Sequence, residues 1–195
     1  GNPTARLMCI GEGPGATEDE TGRPFVGAAG QLLDQILGAI DCPRESVFIA
    51  NIVKCRPPQN RKPLPDEATM CLPYLHRQIA LVRPTVLLAM GGTAAEWLLG
   101  VKRSLGDLRN QVHRYAGIPL VVTYHPAALL RNPNWKKPTW DDVRAAEAKQ
   151  LAADGYEPVL KHSRWCLLKR PENLTDNQTV KLSELLKYNL RSLRA

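Results

Sequence analysis

The stretch RLMCIGEGPG, Arg6 to Gly15, runs from apolar residues directly into a glycine-rich turn. Arg6–Ile10 reads as a buried strand, and the turn behind it predicts a strand-to-helix corner. Three further apolar runs have the same character: Val47–Val53, Thr85–Met90 and Leu120–Thr123. Helical periodicity lies between and after them. Ala28–Ile40 carries Leu32, Leu33, Ile36, Leu37 and Ile40 on one stripe. Asp66–Val82 ends at Arg83-Pro84, Thr93–Leu99 takes Thr93 as its cap after two glycines, and Trp140–Ala153 forms a fourth helix. Alternating strands and helices predict an α/β fold. It has three layers, α/β/α, around a central, mostly parallel four-stranded sheet.

In open sheets of this kind, ligands bind beyond the carboxyl ends of the strands. The unusual residues gather there: Gly11 to Gly15 after the first strand, Asn51 near the end of the second, and His125-Pro126 after the fourth. The glycine cluster is not a dinucleotide fingerprint, because Ala16 stands where GxGxxG needs glycine, and no GK[ST] follows to make a phosphate loop. By itself the cluster is also compatible with an ordinary tight turn. Its extension, Glu18 to Gly27 with an isolated Phe25, makes a long loop of the sort that carries function.

A chain of 195 residues with 44% hydrophobic content suffices for one domain with a core and a small appendage. No apolar run reaches membrane-spanning length, and residues 1–7 do not resemble a secretion signal. The expectation is a soluble, cytoplasmic, prokaryotic monomer. The net charge of +7, with a pI near 9.3, favours a polyanionic partner such as nucleic acid. Five cysteines, an odd number with no CxxC, do not suggest a disulfide framework or a zinc ribbon.

Three segments resemble the signature motifs of type 4 uracil-DNA glycosylases: GEGPGATEDETGRPFVGAAGQLLD (11–34), NIVKCRPPQNRKPLPDEATMCLPYL (51–75) and TYHPAALLRNP (123–133). The likeness covers roughly residues 3–150. It implies a monofunctional hydrolase that extrudes uracil from DNA, cuts its glycosidic bond and leaves an abasic site. Phe25 matches the aromatic that stacks on the flipped base, and Asn51 the amide that reads it. A side-chain amide complements uracil O4 and N3–H, where cytosine presents the opposite pattern. The alternatives are core packing for Phe25 and a turn-closing amide for Asn51. His125 matches the histidine that donates to uracil O2 as negative charge develops. Gly13 stands where type 1 enzymes carry a water-positioning Asp, as the type 4 pattern has it, and joins the substrate-binding set. Glu12, the nearest carboxylate, is the candidate to orient the attacking water or anchor the loop. Glu18 matches an acid lining the pocket where thymine's methyl would fall. Leu129 or Leu130 supplies an apolar wedge into the duplex, and Arg131 a phosphate contact.

The resemblance also implies a 4Fe–4S cluster on four cysteines. Cys55 and Cys71 match two of them; the other two, a CxxC ahead of the first strand, have no counterpart in the chain. With the set incomplete, the loop Arg56–Met70 is expected to be less well pinned, leaving Arg56, Arg61 and Lys62 for phosphate. The glycosylase domain is expected to span residues 1–153. Residues 154–195 differ: LKHSRWCLLKRPENLTDNQTVKLSELLKYNL resembles an internal piece of ISL3-group transposases without their acidic metal ligands, and reads as a fused segment. Within it, Lys161–Leu168 is strand-like, Thr175–Gln178 forms a capping box, and Leu182, Leu185, Leu186 and Leu193 follow at helical spacing. The second reading of the whole chain is an inactive glycosylase remnant that at most binds DNA.

Overall fold

The computed structural model describes residues 1–153, 157–161 and 164–169. Five strands form the main sheet: β1 (Leu7–Gly11), β2 (Phe48–Asn51), β3 (Val86–Met90), β4 (Val112–Tyr115) and β5 (Ile118–Thr123). Their order is β2-β1-β3-β5-β4, with β1, β2, β3 and β5 parallel and β4 antiparallel to β5. Every residue of β1 and β3 is buried, as strands covered on both faces require.

The pleat divides the core in two. Met8, Ile10, Leu87, Ala89, Leu120 and Val122 face one layer. There they meet Leu75 and Ile79 of α3 (Pro65–Val82) and Leu98 of α4 (Gly92–Leu99). Leu7, Cys9, Ile49, Leu88, Met90 and Val121 face the other. They pack on Leu33 and Leu37 of α2 (Ala28–Gly38) and on Val143 and Ala146 of α7 (Lys136–Ala153). Period-two alternation along each strand thus produces the three layers.

The fifth strand is an addition to the expected four. Val112–Tyr115 carries no apolar run; its residues alternate between exposed and half-buried, as suits a sheet edge. The turn Ala116-Gly117, with φ 47° and 83°, joins β4 to β5. Three short helices also escape the periodic pattern: α1 (Ala16–Thr21), α5 (Leu105–Leu108) and α6 (Pro126–Arg131). Thr93 does not cap α4. The cap is Gly91, whose φ of 94° suits glycine, and Thr93 lies buried inside the first turn. The last helix begins at Lys136 rather than Trp140.

After α7, β6 (Glu157–Lys161) and β7 (Arg164–Lys169) pair antiparallel as a separate two-stranded sheet. The capping box at Thr175–Gln178 and the leucines from Leu182 to Leu193 lie outside the described residues. Among the described residues, no helix is long and apolar enough to cross a membrane.

Candidate active site

The carboxyl ends of β1, β2 and β5 deliver the site. Gly11, last in β1, lies in register with Asn51, last in β2. A Cβ on Gly11 would lie 2.6 Å from both Asn51 Oδ1 and Phe25 Cζ, so the absent side chain lets the amide and the ring approach the strand end. The Phe25 ring stands 5.3 Å from the His125 ring, tilted by 32°. Phe25, Asn51 and His125, three residues from distant segments, therefore share one corner of the fold.

Asn51 is 5% exposed, and its Oδ1 accepts no hydrogen bond among the described residues. Leaving a buried acceptor unsatisfied costs about 1–3 kcal/mol, and native structures seldom tolerate it without a use. A group that arrives with an N–H donor satisfies it.

His125 caps the N-terminus of α6, where its Nδ1 accepts from Ala127 N–H at 3.2 Å. That bond leaves the proton on Nε2. Burial, helped by the charge of Arg131 and opposed by Glu18, pushes the imidazole down to about 4. The ring is thus a neutral donor through Nε2 at ordinary pH. Gly91 matters here too, because a Cβ at that position would press to 3.1 Å of His125 Cβ.

Glu18, in α1, bonds backward and forward along the loop. Its carboxylate accepts from Gly15 N–H at 3.2 Å, Val26 N–H at 2.9 Å and Gly27 N–H at 2.8 Å. Burial pushes its carboxyl up, but the backbone N–H groups of Gly27, Val26 and Gly15, with its own, outweigh that and hold it below the usual carboxylate range. Its oxygens thus close the loop that carries Phe25. Glu12 follows Gly11 directly, half-buried, and its carbonyl accepts from Val53 N–H at 3.0 Å. Gly13 lies against β2's continuation, where a Cβ would meet Val53 Cγ2 at 2.7 Å.

The two leucines separate. Leu129 is 1% exposed and packed in the interior, so it is unavailable to a duplex, which corrects the pairing of the two as equal candidates. Leu130 is 49% exposed, and Arg131 beside it is exposed as well.

Cys55 is exposed and Cys71 half-buried, its sulfur accepting from Lys54 N–H at 3.4 Å. Cys9 and Cys42 are buried in the other core layer, and burial pushes the Cys9 thiol up to about 12. Among the described residues, no group of three or more His, Cys, Asp and Glu could hold a metal ion. The described residues therefore do not make up the four-thiolate set of such a cluster. The loop between Cys55 and Cys71 is nevertheless held. Arg61 forms a two-pronged pair with Glu67 at 2.8 and 2.7 Å, Glu67 also accepts from Leu64 N–H, and Lys62 pairs with Glu96 at 2.8 Å. Arg61 and Lys62, expected to be left for phosphate, thus already have carboxylate partners. Arg56 donates to Asn60 Oδ1 at 2.8 Å. Lys54, in the same motif, directs its Nζ to Asn51 O and Gln78 Oε1, both at 2.8 Å; burial lowers it to about 8 against the pull of Cys71.

Sequence reading missed two sets of supporting residues. Arg44 binds the loop at Pro24 and Phe25. Arg109 and Asp142 form a buried pair behind β5, with Asp142 also accepting from Thr123. Neither set leaves a local signal, because each joins segments 19 or more residues apart.

Comparison with known proteins identifies the family. The sequence model described as Uracil DNA glycosylase superfamily matches residues 1–147, and one described as Transposase matches residues 135–195. The chain is 48% identical over 135 residues to the type-4 uracil-DNA glycosylase of Pyrobaculum aerophilum, covering 65% of this chain and 69% of that protein. It is 43% identical over 165 residues to the type-4 enzyme of Sulfurisphaera tokodaii, covering 80% and 75%. With that of Thermotoga maritima it shares 46% over 134 residues, covering 68% and 70%.

Proposed function

This chain belongs to the uracil DNA glycosylase superfamily, among its type-4 members, and from that premise we propose that the pocket of Phe25, Asn51 and His125 excises uracil from DNA. The observation that carries the reading is the buried Asn51 Oδ1 without a partner, beside an aromatic ring and a neutral histidine.

The reaction is hydrolysis. Water adds at the sugar C1′ as the bond to uracil N1 breaks; the electron pair leaves with the base, and the proton that the water gives up balances the one the uracil anion takes up. Phe25 stacks on the extruded uracil. Asn51 Oδ1 accepts from N3–H while its Nδ2 donates to O4, a pattern cytosine does not match. His125 Nε2–H donates to O2 as negative charge gathers there, and being neutral beforehand it costs no proton transfer to prepare. Glu12 orients the water. Glu18 walls the side where a thymine methyl would fall. No step is assigned to an iron–sulfur cluster.

Duplex handling rests on Leu130 and Arg131, the wedge and the phosphate contact, both exposed at the end of α6. The deciding assay is release of uracil from a labelled uracil-containing oligonucleotide. The parent releases uracil, Asn51→Ala and His125→Ala lose about 100-fold or more in rate, and Glu12→Gln loses more than about tenfold. A folded parent that releases none would favour an inactive remnant.

A further inference from the structure

Phe25 has φ 51°, the left-handed region, where a bulky aromatic stays only if its surroundings hold it there. Two charged side chains grip the backbone on either side of it. From one side, Arg44 Nη1 donates to Phe25 O at 2.7 Å and its Nη2 donates to Pro24 O. From the other, Glu18 Oε1 accepts from Val26 N–H at 2.9 Å and Gly27 N–H at 2.8 Å. Four consecutive residues, 24 to 27, are thus fixed by a cation on the carbonyls and an anion on the amides. Asp34 of α2 holds the guanidinium in place, Oδ1 to Nη1 at 3.0 Å, with the Arg44 side chain 22% exposed. Gly30 completes the seat, because a Cβ there would fall 1.9 Å from Phe25 O.

We propose that Arg44 and Glu18 clamp the backbone of residues 24–27 to set the Phe25 ring in the pocket, which makes Arg44 a positioning residue for capture of the extruded base. The proposal rests on the glycosylase reading. Ring orientation follows from backbone orientation here: the peptide on each side of Phe25 is bonded to a charge, and the ring it carries meets Gly11 and His125. A guanidinium is the group for this task. Its planar fork spans two successive carbonyls and still reaches Asp34, whereas a lysine ammonium, a point charge on a flexible stem, does not reproduce the fork.

The test uses the full chain, with Arg44→Ala and Arg44→Lys made in both the parent and a Phe25→Ala background. Three quantities are read: KM and kcat for uracil release, inhibition by free uracil, and affinity for DNA that already holds an abasic site. Arg44→Ala is expected to raise KM and weaken free-uracil inhibition about tenfold, within the range that base–aromatic stacking supplies. Its kcat and its abasic-DNA affinity are expected to stay within about twofold, since the base is gone from that ligand. Arg44→Lys restores part of the loss. In the Phe25→Ala background, Arg44→Ala adds nothing further, because the clamp has no ring left to set.

A fourth measurement separates the proposal from the reading beneath it. The His125 ring protons lie near the Phe25 ring, so their NMR shifts report ring placement whether or not uracil is excised. In Arg44→Ala they move towards the values of Phe25→Ala. Unmoved His125 signals, or an equal loss of uracil inhibition with and without Phe25, would overturn the clamp. Moved signals in a parent that releases no uracil would leave the clamp as a feature of the fold and overturn its role in base capture.

Discussion

Substitution of Asp142 by alanine exposes how strongly the site depends on α7. Asp142 Oδ2 receives Arg109 Nε at 2.6 Å and the Thr123 hydroxyl at 2.8 Å, and the two charged side chains are 8% and 2% exposed. Arg109 also donates to Pro138 O at 2.9 Å and lies over the Tyr124 ring at 4.4 Å; that ring stacks on Trp135 at 4.7 Å. Thr123 and Tyr124 are the two residues before His125. Asp142→Ala leaves a guanidinium buried beside no carboxylate, a change that costs about 3–5 kcal/mol. For a domain of this size each kcal/mol lowers Tm by about 2–4 °C, so a drop of roughly 6–20 °C is expected. Thermal unfolding followed by circular dichroism reads it directly. The pair Arg109→Met with Asp142→Leu is expected to recover part of the loss, since apolar groups of similar size replace a buried ion pair at little cost while the Thr123 hydroxyl loses its acceptor. If Asp142→Ala melts within about 2 °C of the parent, the pair is not isolated from water as its burial indicates and the reasoning fails.

The depressed pKa of His125 makes stability depend on pH. Its ordinary value is 6.5 and its folded value about 4, so between them the unfolded chain binds the proton more readily. The contribution is full above pH 6.5 and is lost as pH falls towards 4. It amounts to about 3 kcal/mol, and urea unfolding of parent and His125→Gln across this range checks it. The neutral donor also predicts no limb near pH 6.5 in kcat/KM for uracil release; a limb there that vanishes in His125→Gln would contradict the neutral ring. For the two leucines, Leu129→Ala is expected to lower stability by about 2–5 kcal/mol as a core truncation. Leu130→Ala leaves stability within about 0.5 kcal/mol and slows release from duplex DNA more than from single strands; equal slowing on both substrates would remove Leu130 as the wedge. A chain ending at Ala153 is expected to melt and release uracil as the parent does, and loss of folding on that truncation would show that residues 154–195 belong to the core.

The parallel strands were legible because burial on both faces leaves continuous apolar runs: β1, β3 and β5 lie within one or two residues of their expected ends. The edge strand β4 was not, since Val112–Tyr115 needs apolar character on one face at most and reads like a loop. Helices α1, α5 and α6 are too short to establish a 3.6-residue period. At the site, the residues proposed to meet the base stand in compact motifs. Those that hold them do not. Arg44 reaches Phe25 across 19 residues, and Arg109 reaches Asp142 across 33, so only the folded chain brings them together. The choice between Leu129 and Leu130 depends on which face of a two-turn helix meets its neighbours, a tertiary fact. The loop Arg56–Met70 shows the same limit: its ion pairs, Arg61 to Glu67 on α3 and Lys62 to Glu96 on α4, were not legible in the motif.

The position of Asp142 also bears on how the two sequence matches coexist. They overlap over residues 135–147, Trp135 and the first part of α7. That part carries Trp135 on Tyr124, Pro138 and Asp142 on Arg109, and Val143 and Ala146 in the core layer beneath β3 and β5. A glycosylase fold that lacked it would leave Arg109 buried without its carboxylate and the strand leading to His125 without its backing. A junction before about residue 147 would therefore remove support for the histidine, whereas a junction beyond Ala146 leaves intact every described contact that the pocket uses. The glycosylase match ends at residue 147.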